Sequence, residues 1–303
     1  MKKIISLSLV IMLLFAFAVG CTSDNGGNET PDTGNQTPPA NDTVDFDTSE
    51  TINVVSREDG SGTRGAFVEI VGVEDADGND ATYEEAVIQN GTSGVMTTVA
   101  GDKYSIGYIS LGSLNDTVKS VSVEGAEATT ENIKSGAYKI ARPFNIAYKA
   151  GLSELAQDFV NFIMSADGQA IIADNSLIEA ADDAQAYTAS GLSGTITVGG
   201  STSVTPVMEK LAEAYEGLNE GVSIEIQSTG SSAGMTAAIE GSADIGMASR
   251  DLKDSEKAEL EYQAIGIDGI AVIVNNESTI TDLSIDEIKS IYLGETTTWS
   301  EVE

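Results

Sequence analysis

Three times along this chain a short alternating apolar run leads into a loop of glycine, serine and threonine, and then into a segment with helical periodicity. The first copy passes from Ile52-Asn53-Val54-Val55 through Ser56-Arg57-Glu58-Asp59-Gly60-Ser61-Gly62 into a helix over residues 63–70. The second has a strand over 195–198 and a loop over 199–205. Its helix carries Pro206 in the first turn and an apolar stripe of Val207, Leu211 and Tyr215. The third has a strand over 222–227, a loop over 228–234 and a helix over 235–240. Repeated strand–loop–helix units imply an α/β fold with largely parallel sheets, in which ligands bind at the carboxyl ends of the strands, where these loops lie.

The loop chemistry points to an anion. Backbone N–H groups at a helix start lack internal partners, and the helix dipole favours negative charge there. Arg57 adds a planar guanidinium that matches a tetrahedral oxyanion, and Asp59 is placed to fix that guanidinium from behind.

Between the three copies, the pattern predicts a helix over 83–88, a further loop over 90–94, buried strands over 105–109 and 120–123, and a short helix over 130–135. An extended crossover follows over 142–148, where Pro143 opposes a helix. An amphipathic helix over 153–165, with Ser153 as N-cap, reads as core packing, and helical character continues over 168–172. Residues 244–250 form a strand ending in Ser249 and Arg250. Residues 270–274 form a second apolar crossover, and 284–292 a helix before Trp299.

Composition removes several function classes. The net charge of −33 opposes nucleic acid as a partner, so an anion site here must work through local donors against the overall field. The chain has no histidine, which excludes Ser-His-Asp catalysis and His-ligated zinc. Gly230-Ser231-Ser232-Ala233-Gly234 fits a nucleophile-elbow string but has no base to serve it. No Walker A string occurs, and no metal, cofactor or enzymatic activity is expected. The single cysteine, Cys21, follows a basic start and an apolar run, which reads as a signal peptide over 1–20. Residues 21–50, with three of the five prolines, read as a disordered linker.

The Arg57-Glu58-Asp59-Gly60-Ser61-Gly62-Thr63 string, Ile106-Gly107-Tyr108 and residues 156–171 resemble the second half of the phosphate-binding proteins of bacterial and archaeal ABC importers. Residues 196–206, the Gly-Ser-Ser-Ala-Gly loop, residues 243–250 and Tyr292-Leu293-Gly294 with Trp299 resemble the first half. The halves are thus in permuted order, as in a circular permutant or a piece of a tandem protein. The resemblance implies a two-lobed, type II periplasmic-binding-protein-like fold, each lobe a mixed, mainly parallel sheet flanked by helices. One lobe would comprise 51–145 plus 274–303 and the other 146–273, hinged near Phe144 and Val274.

Carried over residue by residue, the phosphate contacts fall on Arg57, Ser61, Gly62, Thr63, Thr202, Ser203 and Ser231, with Ser249 and Arg250 beside them and Asp59 behind Arg57. Arg250 stands where some members carry an aspartate that accepts a hydrogen bond from a protonated phosphate; an arginine there favours a more highly charged anion and removes that means of telling phosphate from sulfate. Cys21 directly after Ala18-Val19-Gly20 resembles the bacterial lipobox, which implies a lipid (palmitate) on Cys21, with an uncleaved N-terminal anchor as the alternative. The resemblance thus implies a monomer tethered to the cell membrane outside the cytoplasm. That monomer would trap inorganic phosphate and deliver it to the permease and ATPase subunits of an importer. A binding protein for sulfate, molybdate or tungstate is the alternative, and a non-transport surface lipoprotein a more distant one.

Overall fold

The computed structural model describes residues 46–181 and 183–302. The leader, Cys21 and the linker up to residue 45 lie outside the described residues. Residues 46–50, expected in the linker, are part of the fold. Phe46 is buried, with its ring 5.2 Å from Tyr104 and 5.9 Å from Trp299.

The first half opens with β1 (Asn53–Arg57), α1 (Gly62–Val71), β2 (Val87–Gln89), α2 (Gly91–Gly101) and β3 (Ser105–Ser110). Two short strands, β4 (Lys119–Ser120) and β5 (Ser122–Val123), and α3 (Thr130–Ser135) lead to β6 (Ala141–Tyr148). Next come α4 (Glu154–Ile163), α5 (Ala166–Asp174), β7 (Ile178–Glu179), β8 (Gly194–Gly200), α6 (Thr205–Leu218), β9 (Val222–Ser228), α7 (Ser231–Glu240) and β10 (Ile245–Ala248). The chain closes with α8 (Asp254–Lys257), β11 (Glu261–Val274), β12 (Asp282–Leu283) and α9 (Ile285–Tyr292).

The main strands follow one path, β2-β1-β3-β11-β6-β10-β8-β9. The β2-β1-β3 end is parallel, and so is β10-β8-β9. Between them lie β11 and β6, antiparallel to each other and to their outer neighbours. β11 serves both ends: residues 261–269 pair with β6, and Ile270–Val274 pair with β3. The run Ile270–Val274, apolar and buried on both faces, suits this central position.

Two large apolar cores flank this seam, and a small third cluster packs Met235 and Ala238 of α7 with Ala147, Ala248, Leu252 and Leu260. The first gathers Val54, Phe67, Tyr108, Ile273, Tyr292 and Trp299, and the second Phe144, Phe159, Phe162, Val198, Leu211 and Met247. Ile270 to Val274, grouped above mostly with residues 146–273, pack in the first core. That core is completed from the far end of the chain. Ile52 N–H donates to the Thr297 carbonyl at 2.8 Å, and Trp299 Nε1 to the Tyr104 carbonyl at 3.1 Å.

The segments before and at α2 depart from the sequence expectation. Residues 83–86 are not helical and run into β2, and the supposed loop over 90–94 opens a helix of eleven residues. Gly, Thr and Ser have poor helix propensity, but packing overrides it. Val95 and Val99, one turn apart and fully buried, press on Gly107 of β3, where a Cβ would stand 2.8 and 2.9 Å from them. The helix expected over 153–165 is interrupted at Met164 and Ser165. Ser153 caps α4, and Ser165 caps α5 by accepting from Gly168 N–H at 3.2 Å. Among the described residues, no helix is long and apolar enough to cross a membrane.

Candidate oxyanion-binding site

Four helix N-termini carry the site, those of α1, α2, α6 and α7. Only α1 has a side-chain cap, Ser61, whose Oγ accepts from Arg64 N–H at 3.3 Å; the starts of α2, α6 and α7 have none. Uncapped first turns leave backbone donors that no cap occupies for a bound acceptor, although Gly91 N–H is taken by Glu58 at 3.1 Å and Ser232 N–H by the Gly60 carbonyl.

Arg57 ends β1 and is 1% exposed. Its fork grips Glu58, with Nε to Oε2 at 2.8 Å and Nη2 to Oε1 at 2.9 Å, and Nη2 also donates to Thr202 Oγ1 at 2.9 Å. Nη1 is buried and has no partner. Burial pushes the Glu58 carboxyl up, but the Arg57 charge and the N–H of Gly91 at 3.1 Å outweigh it and hold the group below its ordinary range. The loop itself rests on Tyr108, which stacks on Phe67 at 3.9 Å and hydrogen-bonds Ser56 Oγ at 2.8 Å. Burial pushes the Tyr108 hydroxyl up to about 12, so it stays protonated.

Around this cation lies a cluster of hydroxyls from distant parts of the chain. Thr63 Oγ1 is 2.9 Å from Ser203 Oγ and 3.4 Å from Ser249 Oγ. Thr92 Oγ1 lies 3.2 Å from Ser203 Oγ and 3.4 Å from Thr202 Oγ1. Ser201 Oγ donates to Ser249 Oγ at 2.9 Å, and Ser231 Oγ accepts from Ser249 N–H at 3.2 Å. Hydroxyls bonded to one another can turn their protons toward any stronger acceptor that enters. Gly62 lets the two sides meet, since a Cβ there would stand 2.3 Å from Ser231 Oγ. A further bond, Ser232 N–H to the Gly60 carbonyl at 3.1 Å, crosses the same gap. Beside Thr92 and Thr202 a groove of about 750 Å³ opens, lined also by Met96, Thr97 and Pro206.

The geometry thus brings together Arg57, Gly62, Thr63, Thr202, Ser203, Ser231 and Ser249, with Ser61 at the cap. Two expectations need correction. Asp59 is not the partner of Arg57. Its side chain is fully exposed and approaches only Arg64, at 3.4 Å. The strand ends at Arg57, and in the turn that follows Glu58 is held over the guanidinium by the Gly91 N–H while Asp59 faces water. Arg250 does not join the hydroxyl cluster. Both its Nη atoms bond Glu256, each at 2.8 Å, with further bonds to the Asp251 carbonyl and Ser232 Oγ. Thr92 and Glu58 escaped sequence reasoning. Thr92 had the signal of lying in a Gly/Ser/Thr segment, whereas Glu58 had none.

A family model described as a PBP superfamily domain matches residues 35–167 and 185–303. A relative named phosphate-binding protein PstS 2, from Streptococcus pneumoniae, is 49% identical over 258 residues, covering 84% of this chain and 89% of that protein. The chain belongs to the PBP superfamily, in its PstS family. A Streptococcus agalactiae relative of the same name is 50% identical, over 83% of this chain and 88% of its own. These matches are longer than either half of the chain, so those relatives carry the halves in the same order. The crystal structure of a phosphate ABC transporter phosphate-binding protein from Streptococcus pneumoniae superposes with a TM-score of 0.68. It is 49% identical, and the match covers 84% of this chain and 100% of that one. The two-lobed α/β architecture inferred from sequence is therefore the observed one.

Proposed function

We propose that this protein captures inorganic phosphate between its two lobes, around the seam of β6 and β11, and hands it to an ABC importer. The observation that carries the reading is the buried, unpartnered Nη1 of Arg57 among hydroxyls and uncapped helix starts. A buried cation with an unmet donor is costly unless an anion completes it. The site is otherwise uncharged, since Glu58 offsets Arg57, so dipoles and hydroxyls rather than net charge would replace the anion's hydration in a chain of charge −33. The lobes are residues 51–145 with the chain's far end, and 146 to about 269; closure would be a hinge motion of the two connecting strands. The names of the streptococcal relatives support phosphate as ligand and an importer's permease and ATPase as partners. By the same reading the protein is not an enzyme, and works outside the cytoplasm as a monomer anchored through a lipid on Cys21.

Titration calorimetry of the full chain with inorganic phosphate should give a dissociation constant of about 1 μM or below, near −8 kcal/mol. Arg57→Ala should weaken it at least about a hundredfold, because it removes the charge that the site is built around. Wild-type binding in a folded Arg57→Ala variant would place the site elsewhere. One observation favours sulfate, molybdate or tungstate as a second reading. Arg250 occupies the position where an aspartate would accept a hydrogen bond from a protonated anion, and the one carboxylate that faces Arg57, Glu58, already accepts three hydrogen bonds. Heat with sulfate and none with phosphate would select it.

A further inference from the structure

A second buried guanidinium lies on the connecting strands, outside the hydroxyl cluster. Arg142 on β6 faces Asp268 on β11 as its register partner, and their side chains are 1% and 0% exposed. Arg142 Nη2 donates to Asp268 Oδ2 at 2.9 Å, and the guanidinium sits 5.4 Å over the Phe144 ring. Asp268 Oδ1 accepts from Ser110 Oγ at 3.0 Å and from the Gly112 N–H at 3.3 Å. The carboxylate is therefore well served, and the guanidinium is not: Nε and Nη1 are buried without partners. A pair kept only for stability would be poorly made, because apolar residues of similar volume usually serve a core at least as well.

The surroundings connect this pair to the oxyanion site. Ser110, which holds Asp268, lines a void of about 10 Å³ together with Ser203 of the hydroxyl cluster, room for about one water. Tyr108, two residues earlier on the same face of β3, holds Ser56 and takes the Arg57 N–H at 3.4 Å. Burial draws the Arg142 pKa down to about 10, and the nearby charge of Arg57 adds to that effect. The charge of Arg57 thus acts on Arg142, and an anion at the site would offset both.

We propose that Arg142 is a second cationic determinant of the oxyanion site, a positioning residue that strengthens anion binding by its charge while Asp268 limits how much of that charge the anion feels. The inference rests on the reading of the site as an oxyanion trap. Asp268 is the brake, so its removal tightens binding, whereas a structural pair would only be damaged by losing a partner.

The test is titration calorimetry of inorganic phosphate into the full chain and three variants at mildly alkaline pH, with circular dichroism to verify folding. Asp268→Asn should bind phosphate about tenfold more tightly than wild type. Arg142→Lys, which keeps the charge, should stay within about threefold of wild type. The double variant Arg142→Gln/Asp268→Asn, which keeps amides in place of both charges, should bind about tenfold more weakly than Arg142→Lys. A folded Asp268→Asn variant with unchanged or weaker affinity overturns the proposal. If that variant does not fold, equal affinities of Arg142→Lys and the double variant overturn it instead. A wild-type chain that binds no phosphate would sink the trap reading itself, and this inference with it.

Discussion

Replacing Gly62 by alanine should separate folding from ligand capture. Gly62 opens α1 with ordinary negative φ, so alanine fits its backbone and gains roughly 0.5–1 kcal/mol over glycine within the helix. The added Cβ would lie 2.3 Å from Ser231 Oγ, 2.8 Å from Ser249 Oγ and 3.0 Å from Ser231 Cβ. Carbon contacts settle at about 3.5 Å, so the starts of α1 and α7 would have to part by about 1 Å. Rotating Ser231 away would avoid the closest clash but break its 3.2 Å bond from Ser249 N–H. Overpacking of this kind costs about 1–3 kcal/mol, and it falls on the arrangement in which the starts of α1 and α7 meet as they do here. The binding-competent fraction drops accordingly, which corresponds to a loss of phosphate affinity of roughly 5- to 150-fold. A ligand-free chain that opens escapes the clash, so its melting midpoint should hold or rise by at most about 2–4 °C. Calorimetry reads the affinity, and fluorescence of Trp299, the single tryptophan and buried in the first core, reads the melt. Wild-type affinity in Gly62→Ala would refute the claim that the lobes close onto each other at this residue.

Two further expectations concern carboxylates. Glu58→Ala strips Arg57 of its fork partner and should lower the unfolding free energy by about 1–3 kcal/mol, whereas Asp59→Asn should stay within about 0.5 kcal/mol; denaturant melts that reverse this order would restore Asp59 as the partner. Stability should also pass through a maximum in mildly acidic solution. Burial pushes Asp268 up to about 6, above its unfolded value of 3.8, so stability increases as pH falls through about 6. Glu58 and Glu256 are held below their usual 4.5 by Arg57 and Arg250 despite burial, so their contribution is present above that value and is lost as pH falls below it. Thermal midpoints measured from about pH 8 to about pH 3 check this, and a profile that only falls on acidification would refute the Asp268 part.

What could be read in the residues is what depends on near neighbours in the chain. The strand–loop–helix units around Arg57, Thr202 and Ser231 are local, so their turns, helix starts and hydroxyls are visible in sequence. The charge of −33 and the missing histidines exclude function classes without any coordinates. The α2 start was misread because its Gly, Thr and Ser favour a loop, and only the packing of Val95 and Val99 on Gly107 makes it a helix. Thr92 reaches the site as a result.

Tertiary structure alone decided the partners. Glu58 rather than Asp59 holds Arg57 because the turn after β1 brings Glu58 to the start of α2, where the Gly91 N–H fixes it, and leaves Asp59 in water. Arg250 is taken by Glu256, six residues on, and Arg142 meets Asp268 across 126 positions of sequence. A strand's alternation says that a side chain points to one face or the other. Which charge waits on that face depends on long-range pairing, and no local pattern carries that information.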